Sequence, residues 1–386
     1  MLTREEILSV YRQVLGRTPA EEEIAAQLGL ESLDALLRLI LDSEEYDLRL
    51  RERAMRGAMD ETFVNFFHPD LAPWSPPPGT RSPDGAAVVG HDGWIFLAGG
   101  NYSNTAQHRG AVELPPDWLE RWQRLLDYRV ESARGLGIEL VMLMLPDKLA
   151  IYEQYFPETL EKVGLRPIER LLAGGDAPIL HAFDALAAAA VEDDVYLRTD
   201  HHINFRGMEV ASGLVLRELG LDVPDAFADV ELRTYPVAGD LGVRFNPPIV
   251  SLTRDACSLG GARVVEDNRD QIQAYGGHLG TRRVYVNEGA PDPRVVVVFG
   301  SSHSFAATHH QGLSWFLAQV FREVHFLWVP FGWDSEYLRR VGADVAVMQS
   351  GERLVRRVPR QDVDIGALAE DTLRHERPVD VERVLD

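Results

Sequence analysis

Arg294-Val295-Val296-Val297-Val298-Phe299-Gly300-Ser301-Ser302-His303-Ser304-Phe305 is the stretch whose reading decides the fold. Four valines and a phenylalanine in succession predict a strand buried on both faces. Gly300 ends the run, small residues make a tight turn, and an apolar-patterned helix is expected from about Phe305 to Val320. Strand, turn and helix in that order set a serine hydroxyl at the C-terminal edge of a sheet, where open α/β sheets bind ligands. Free backbone N–H groups at a helix start can stabilise an oxyanion there. Ser302 is the candidate nucleophile. Serine is also a preferred helix N-cap, so Ser301, Ser302 and Ser304 have a second reading as caps alone.

Neighbouring segments supply more α/β units. A helix is expected over Pro115 to Gly135, with Trp118, Trp122, Leu125 and Leu126 on one side, followed by a buried strand from Ile138 to Leu145. Helices are expected around Pro167 to Leu172, Phe183 to Val191 and Phe205 to Leu219, and strands at Pro178 to His181, Val324 to Val329 and Ala343 to Met348. Val195-Tyr196-Leu197-Arg198 reads as a further strand, and Val88 to Leu97 as a hairpin turning at His91-Asp92-Gly93. Residues 221 to 290 are less regular, and the tail from 351 to 386 is charged. The fold class is α/β with a mostly parallel sheet.

Upstream, residues 1 to about 65 read as wholly helical. Thr3 with Glu6 fits a capping box, and Ile7, Val10, Tyr11 and Val14 recur at helical spacing. Trp74-Ser75-Pro76-Pro77-Pro78-Gly79 marks an extended linker over about 66–85. A second domain then runs from 86 to 386.

Composition narrows the function. A net charge of −21 on 386 residues argues against a nucleic-acid binder, which would show a basic face. The single cysteine, Cys257, excludes a disulfide framework and a multi-cysteine zinc site, and reads as a small buried hydrophobe. No apolar run approaches the roughly 18 residues that would suggest a membrane span, and no signal peptide is recognisable. The chain as it stands is expected in the cytoplasm, or in the periplasm if a leader has been removed.

A serine hydroxyl needs a base, usually a histidine oriented by a carboxylate. Asp200 and His202 offer both, two residues apart, between a predicted strand and a helix. His202 would take the Ser302 proton, and Asp200 would fix the imidazole tautomer. The same segment has two other readings. One is a helix cap with exposed imidazoles. The other is a zinc site built from Asp200, His201, His202 and one of His303, His309 or His310.

Thr199-Asp200-His201-His202-Ile203-Asn204-x-x-Gly207 resembles the Thr-Asp-x-His-Trp-Asn-x-x-Gly signature of the alginate O-acetyltransferase group of SGNH-hydrolase-like proteins. Five further blocks agree in order: Gly90-His91-Asp92-Gly93-Trp94-Ile95-Phe96, Pro146-Asp147-Lys148 through Tyr152, Gly239-Asp240-Leu241, Phe299-Gly300-Ser301-Ser302-His303-Ser304, and Ala343 to Met348 with Gly351-Glu352-Arg353. The likeness spans about residues 86 to 360. It implies an SGNH-hydrolase-like three-layer domain with Ser302 as nucleophile, His202 as base and Asp200 as its partner. It further implies acyl transfer through an acyl-serine to carbohydrate hydroxyls, or to water in an acetylesterase. An acetyl donor is required, and no cofactor or metal is implied. A non-catalytic glycan-binding scaffold is the alternative.

Ser301 stands where the group has Asp or Thr, His303 replaces an aromatic residue, and Ile203 replaces the signature Trp. His303 and Ile203 are expected to line the pocket. The backbone of Gly239 or Leu241 is available to an oxyanion site, while Asp240 is expected to shape its loop. Lys148 and Arg353 would either hold an anionic substrate group or serve in structural pairing. Trp94 and Tyr102 could stack on a sugar, with core packing the default for Trp94. The string Tyr11-Arg12-x-Val14-Leu15-Gly16-Arg17-x-Pro19 with Leu41-x-Ser43-Glu44-Glu45-Tyr46 resembles a small phycobilisome-linker-like helical domain. That likeness implies either a docking module for a protein partner or a structural cap.

Overall fold

The computed structural model describes residues 2–15, 18–30, 32–41, 43, 46, 75–100, 103–175, 178–221, 227, 230–246, 248–256, 260–305 and 312–385. Cys257, Tyr102, His309, His310 and residues 66–74 of the expected linker lie outside them.

Strand β9, Asp292–Gly300, is the decisive stretch, and Val296 through Phe299 have no exposed surface. Its side chains alternate as a period of two requires. Val296 and Val298 join a core under the helices Phe205–Glu218 and Leu313–Val320, whereas Val297 and Phe299 join one under Trp118–Leu136 and Ser335–Val341. Two helical layers therefore sandwich one sheet. Complete burial of each such side chain contributes about 1.5–3 kcal/mol, so this strand anchors both cores.

β3 (Glu139–Leu145), β4 (Ile179–His181), β7 (Arg263–Asp267), β8 (Arg282–Val286), β10 (Phe321–Trp328) and β11 (Val345–Gly351) complete a seven-stranded sheet. Its order is β4-β3-β11-β9-β10-β8-β7. The pairs β4/β3, β3/β11, β11/β9 and β9/β10 are parallel, and β8 and β7 add an antiparallel edge. The C-terminal ends of β3, β9, β10 and β11 share one edge. β1 (Ala87–Val89) and β2 (Ile95–Leu97) form the expected hairpin, and β5 (Leu232–Val237) pairs with β6 (Ser251–Ala256). The fold is the SGNH-hydrolase-like α/β arrangement.

Four expectations change. Residues 195–203 form no sheet strand: a single bridge joins Tyr196 to Ile203 and closes a loop. The helix expected from Phe305 begins, among the described residues, at Leu313 with Gly312 as its N-cap, because 301–305 fold back as a turn. Order starts upstream of Ala86, since Gly79 N–H donates to Val89 and Val89 N–H donates to Thr80. The charged tail contributes a helix, Ile365–His375, whose Ile365 and Leu368 enter the core.

Near the N-terminus, Thr3 and Glu6 make the capping box, and Ile7, Val10, Ile24, Leu36 and Ile40 form a separate small core. Among the described residues no helix is long and apolar enough to cross a membrane.

Candidate active site

The loop from Val195 to Asn204 carries the Asp-x-His segment at its tip. Leu197 N–H donates to the His202 carbonyl at 3.0 Å, and Asn204 N–H donates to the Val195 carbonyl at 3.1 Å. The Asn-x-x-Gly part of the motif closes the loop onto its helix. Asn204 Oδ1 accepts from Gly207 N–H at 2.9 Å as the N-cap, and its amide donates to the Asp194 carbonyl. A Cβ on Gly207 would sit 2.2 Å from the Val195 carbonyl oxygen, so only glycine lets helix and loop approach this closely.

Asp200 is 3% exposed and accepts three hydrogen bonds. Its Oδ1 takes the His202 N–H at 2.8 Å and His202 Nδ1 at 2.6 Å, and its Oδ2 takes the Asp240 N–H at 3.0 Å. Burial alone would raise its pKa, but the His202 imidazole and these hydrogen bonds outweigh that and hold the carboxyl well below the ordinary range. The bond to Nδ1 fixes the tautomer and leaves Nε2 as the position for proton transfer.

A second imidazole–carboxylate pair lies against the first. His201 bonds Asp240 through both its backbone N–H and Nδ1, and its ring centroid is 3.9 Å from that of His202. Burial and the His202 ring push His201 well below its usual range, so it stays neutral. Loss of water around Asp240, with the Asp200 carboxylate nearby, raises Asp240 to about 7. Asp200, His201, His202 and Asp240 offer atoms within 4.8 Å of one another, a spacing that could hold a metal ion. Both Nδ1 atoms are engaged by carboxylates instead.

The serine turn meets this pair: the His303 ring, one residue beyond Ser302, is 5.0 Å from His202 and 5.9 Å from His201. Its three serines are not equivalent. Ser301 donates to Gln349 Oε1 through backbone N–H and hydroxyl, both at 2.9 Å, and the Ser304 hydroxyl donates to the same oxygen at 2.7 Å. Ser304, expected as a helix cap, is thus a tie to β11. Ser301 and Ser304 are buried, while Ser302 is half-buried. Sequence reasoning missed Gln349. Its signal is a polar residue at the end of the apolar run Val345-Ala346-Val347-Met348.

The remaining candidates fall around this centre. Gly239 has φ +61°, and a Cβ there would lie 2.5 Å from Asp200 Cβ. Leu241 N–H and Gly242 N–H both donate to the Thr199 carbonyl, at 3.3 and 2.9 Å. Arg353 pairs with Asp147 at 3.3 Å, and Arg166 pairs with Glu352 at 3.0 Å. Lys148 points its ammonium at backbone carbonyls of the Asp-x-His loop. Ile203 is core, 1% exposed, and Trp94 stacks on Tyr152 at 4.1 Å.

A three-layer α/β domain with an aspartate-oriented histidine beside a serine turn at the sheet's C-terminal edge defines a hydrolase-like protein of the SGNH class. More narrowly, the chain belongs to the family described as SGNH hydrolase-like domain, acetyltransferase AlgX, which matches residues 87–332. Gly351-Glu352-Arg353 lies beyond that span. No curated protein matches the chain in sequence. Among solved structures it is similar to the O-acetyltransferase domain of Pseudomonas putida AlgJ, with 18% identity and TM-score 0.43 over 76% of this chain and 99% of that one. It is also similar to Bacillus cereus PatB1, with 12% identity and TM-score 0.46 over 71% and 97%. A DHHW family protein from Eubacterium siraeum DSM 15702 gives 12% identity and TM-score 0.47 over 76% and 96%.

Proposed function

We propose that this protein is an O-acetyltransferase that moves an acetyl group to a carbohydrate hydroxyl through an acetyl ester on Ser302. The observation that carries the reading is the buried Asp200–His202 pair, 2.6 Å from carboxylate oxygen to imidazole nitrogen, beside the one serine of the turn not buried against β11. Ser302 Oγ attacks the acetyl carbonyl of the donor as its proton passes to His202 Nε2. The donor oxygen leaves with that proton. The acceptor hydroxyl then gives its proton to His202 and attacks the acetyl carbon, and the proton returns to Ser302 Oγ. Asp200 stabilises the imidazolium formed in each half. Membership in an acetyltransferase family and the resemblance to alginate O-acetyltransferases support carbohydrate as acceptor. Residues 1–65 are, in this reading, a separate helical unit before the catalytic domain, whose first hairpin is bonded back to Gly79 and Thr80. The small core around Ile7 and Leu36 supports that division.

Incubation with p-nitrophenyl acetate tests the reading. An acetyl group should appear on Ser302 by mass spectrometry, and Ser302→Ala should lose it with a rate loss of roughly 10³–10⁶. Added glycan should raise turnover in a transferase and leave it unchanged in an acetylesterase. Absence of the adduct from the wild-type protein overturns it.

A further inference from the structure

Lys148 is buried, 5% exposed, and its ammonium donates three hydrogen bonds, all to one short segment. The acceptors are the carbonyls of Leu197 at 3.0 Å, Arg198 at 3.1 Å and Asp200 at 2.7 Å. An ammonium has three donors, so this one is saturated by backbone and has none left for substrate. The rings of Trp94 and Phe96 flank it at 5.4 and 5.5 Å from Nζ to centroid. Four residues on, Tyr152 accepts the Val195 N–H at 2.8 Å with its hydroxyl and stacks on Trp94. On the other side, Ile95 N–H of the hairpin donates to the Arg198 carbonyl at 2.9 Å.

From this geometry we infer that Lys148 is a positioning residue, a cationic clamp that fixes the Asp200–His202 loop in its catalytic shape. The loop also takes N–H groups from Ile95 at Arg198 and from Leu241 and Gly242 at Thr199, each at a single carbonyl. It is outside the sheet and is closed by one isolated bridge. Three converging carbonyls repel one another unless a cation sits among them, and charge-assisted hydrogen bonds are about twice as strong as neutral ones. The Asp200 carbonyl belongs to the residue that orients His202, so a small shift there moves the base relative to Ser302. Misplacement of about 1 Å can cost on the order of 10²-fold in rate. A buried ammonium with no carboxylate in direct contact is costly to keep. The hairpin, the lysine block and the Asp-x-His block thus meet at one ammonium.

The inference rests on the acyl-serine reading above, and the experiment separates the two. Lys148→Met keeps the stem and removes the donors. With p-nitrophenyl acetate its kcat should fall at least tenfold while KM stays within twofold, and the His202 ring-nitrogen NMR signals should lose their single-tautomer pattern. Lys148→Gln keeps two donors and should give a kcat between those of wild type and Lys148→Met. It also serves if the methionine variant does not fold. A folded variant of either kind with wild-type kcat overturns the clamp. Absence of acetyl-Ser302 in the wild type overturns the acyl-serine reading itself.

Discussion

Replacing Asp200 by asparagine tests the site at its centre, and the structure sets the size of the effect. The carboxylate accepts three N–H groups, two at Oδ1 and one at Oδ2. An amide has one oxygen. If that oxygen faces His202, the NH₂ group meets the Asp240 N–H at about the present 3.0 Å, donor against donor. A buried donor left unsatisfied in this way costs about 1–3 kcal/mol of stability. If the amide flips, its NH₂ faces His202 Nδ1, the ring takes the other tautomer, and Nε2 carries a proton and cannot act as base. Both orientations lose the charge that stabilises the imidazolium. Two unit charges 4 Å apart interact by about 4 kcal/mol at an effective dielectric constant of 20. That energy corresponds to roughly three orders of magnitude in rate, near the ~10⁴ loss seen for the equivalent change in a serine protease triad. Asp200→Asn should therefore acetylate Ser302 about 10³–10⁴ times more slowly, read from p-nitrophenolate release. Urea unfolding should show a loss of about 1–3 kcal/mol. A folded variant within tenfold of wild type refutes Asp200 as the orienting residue. The same loss in Asp240→Asn instead would give that role to the His201–Asp240 pair.

Gly239→Ala combines a left-handed backbone, which costs a residue with a Cβ about 1–2 kcal/mol, with an overlap against Asp200 and Thr199 worth about 1–3 kcal/mol. The sum, about 2–5 kcal/mol by urea unfolding, should come with a drop in kcat because Asp200 is the atom group displaced. A change within about 0.5 kcal/mol, the size of an ordinary surface substitution, would show that the turn does not press on Asp200. The pH dependence follows from Lys148. Burial lowers its pKa to about 7, against the opposing pull of Asp200, Asp240 and Asp194. Between about 7 and the ordinary lysine range near 10.4, the unfolded chain holds a proton the folded chain lacks, so this residue's contribution to stability rises with pH. The clamp weakens over the same window, because a neutral amine turns a lone pair toward one carbonyl. Wild-type kcat should fall above about pH 7, and Lys148→Met should lack that fall. An alkaline limb unchanged in the variant would assign it to another group.

Much of this was legible from periodicity and punctuation. The valine run announced β9 because a strand covered on both faces has no polar alternation to obscure it. The helix Trp118–Leu136 and strand β3 follow from apolar spacing. The loop at 195–204 was not legible as a loop. Val195, Tyr196 and Leu197 are good strand formers, but Leu197 pairs with His202 of its own loop rather than with a neighbouring strand. The serine turn was read correctly as a turn and incompletely as a site. Gln349 lies 48 residues from Ser301 and reaches it only because β11 is the parallel neighbour of β9. Strand order is set by long-range packing, which local sequence does not encode.

The same point explains why six short blocks spread over some 270 residues describe one site. Tyr196 caps the Pro146 carbonyl, and Lys148 holds the carbonyls of the Asp200 loop. Gly239 lets Asp240 donate to Asp200, while Trp94 and Phe96 flank the ammonium. Few of these residues would touch a substrate. Lys148 and Gly239 pack against the loop that carries the Asp200–His202 pair. Two of the three departures from the family pattern fall outside these holding groups. Ile203, in place of tryptophan, is fully packed within the core, and His303 adds a third imidazole to the cluster instead of an aromatic wall. Substitutions at Gly239 or Lys148 should therefore lower kcat with p-nitrophenyl acetate and leave KM near wild type, and so should substitutions at His303, which is buried against His202 and does not line a pocket as expected.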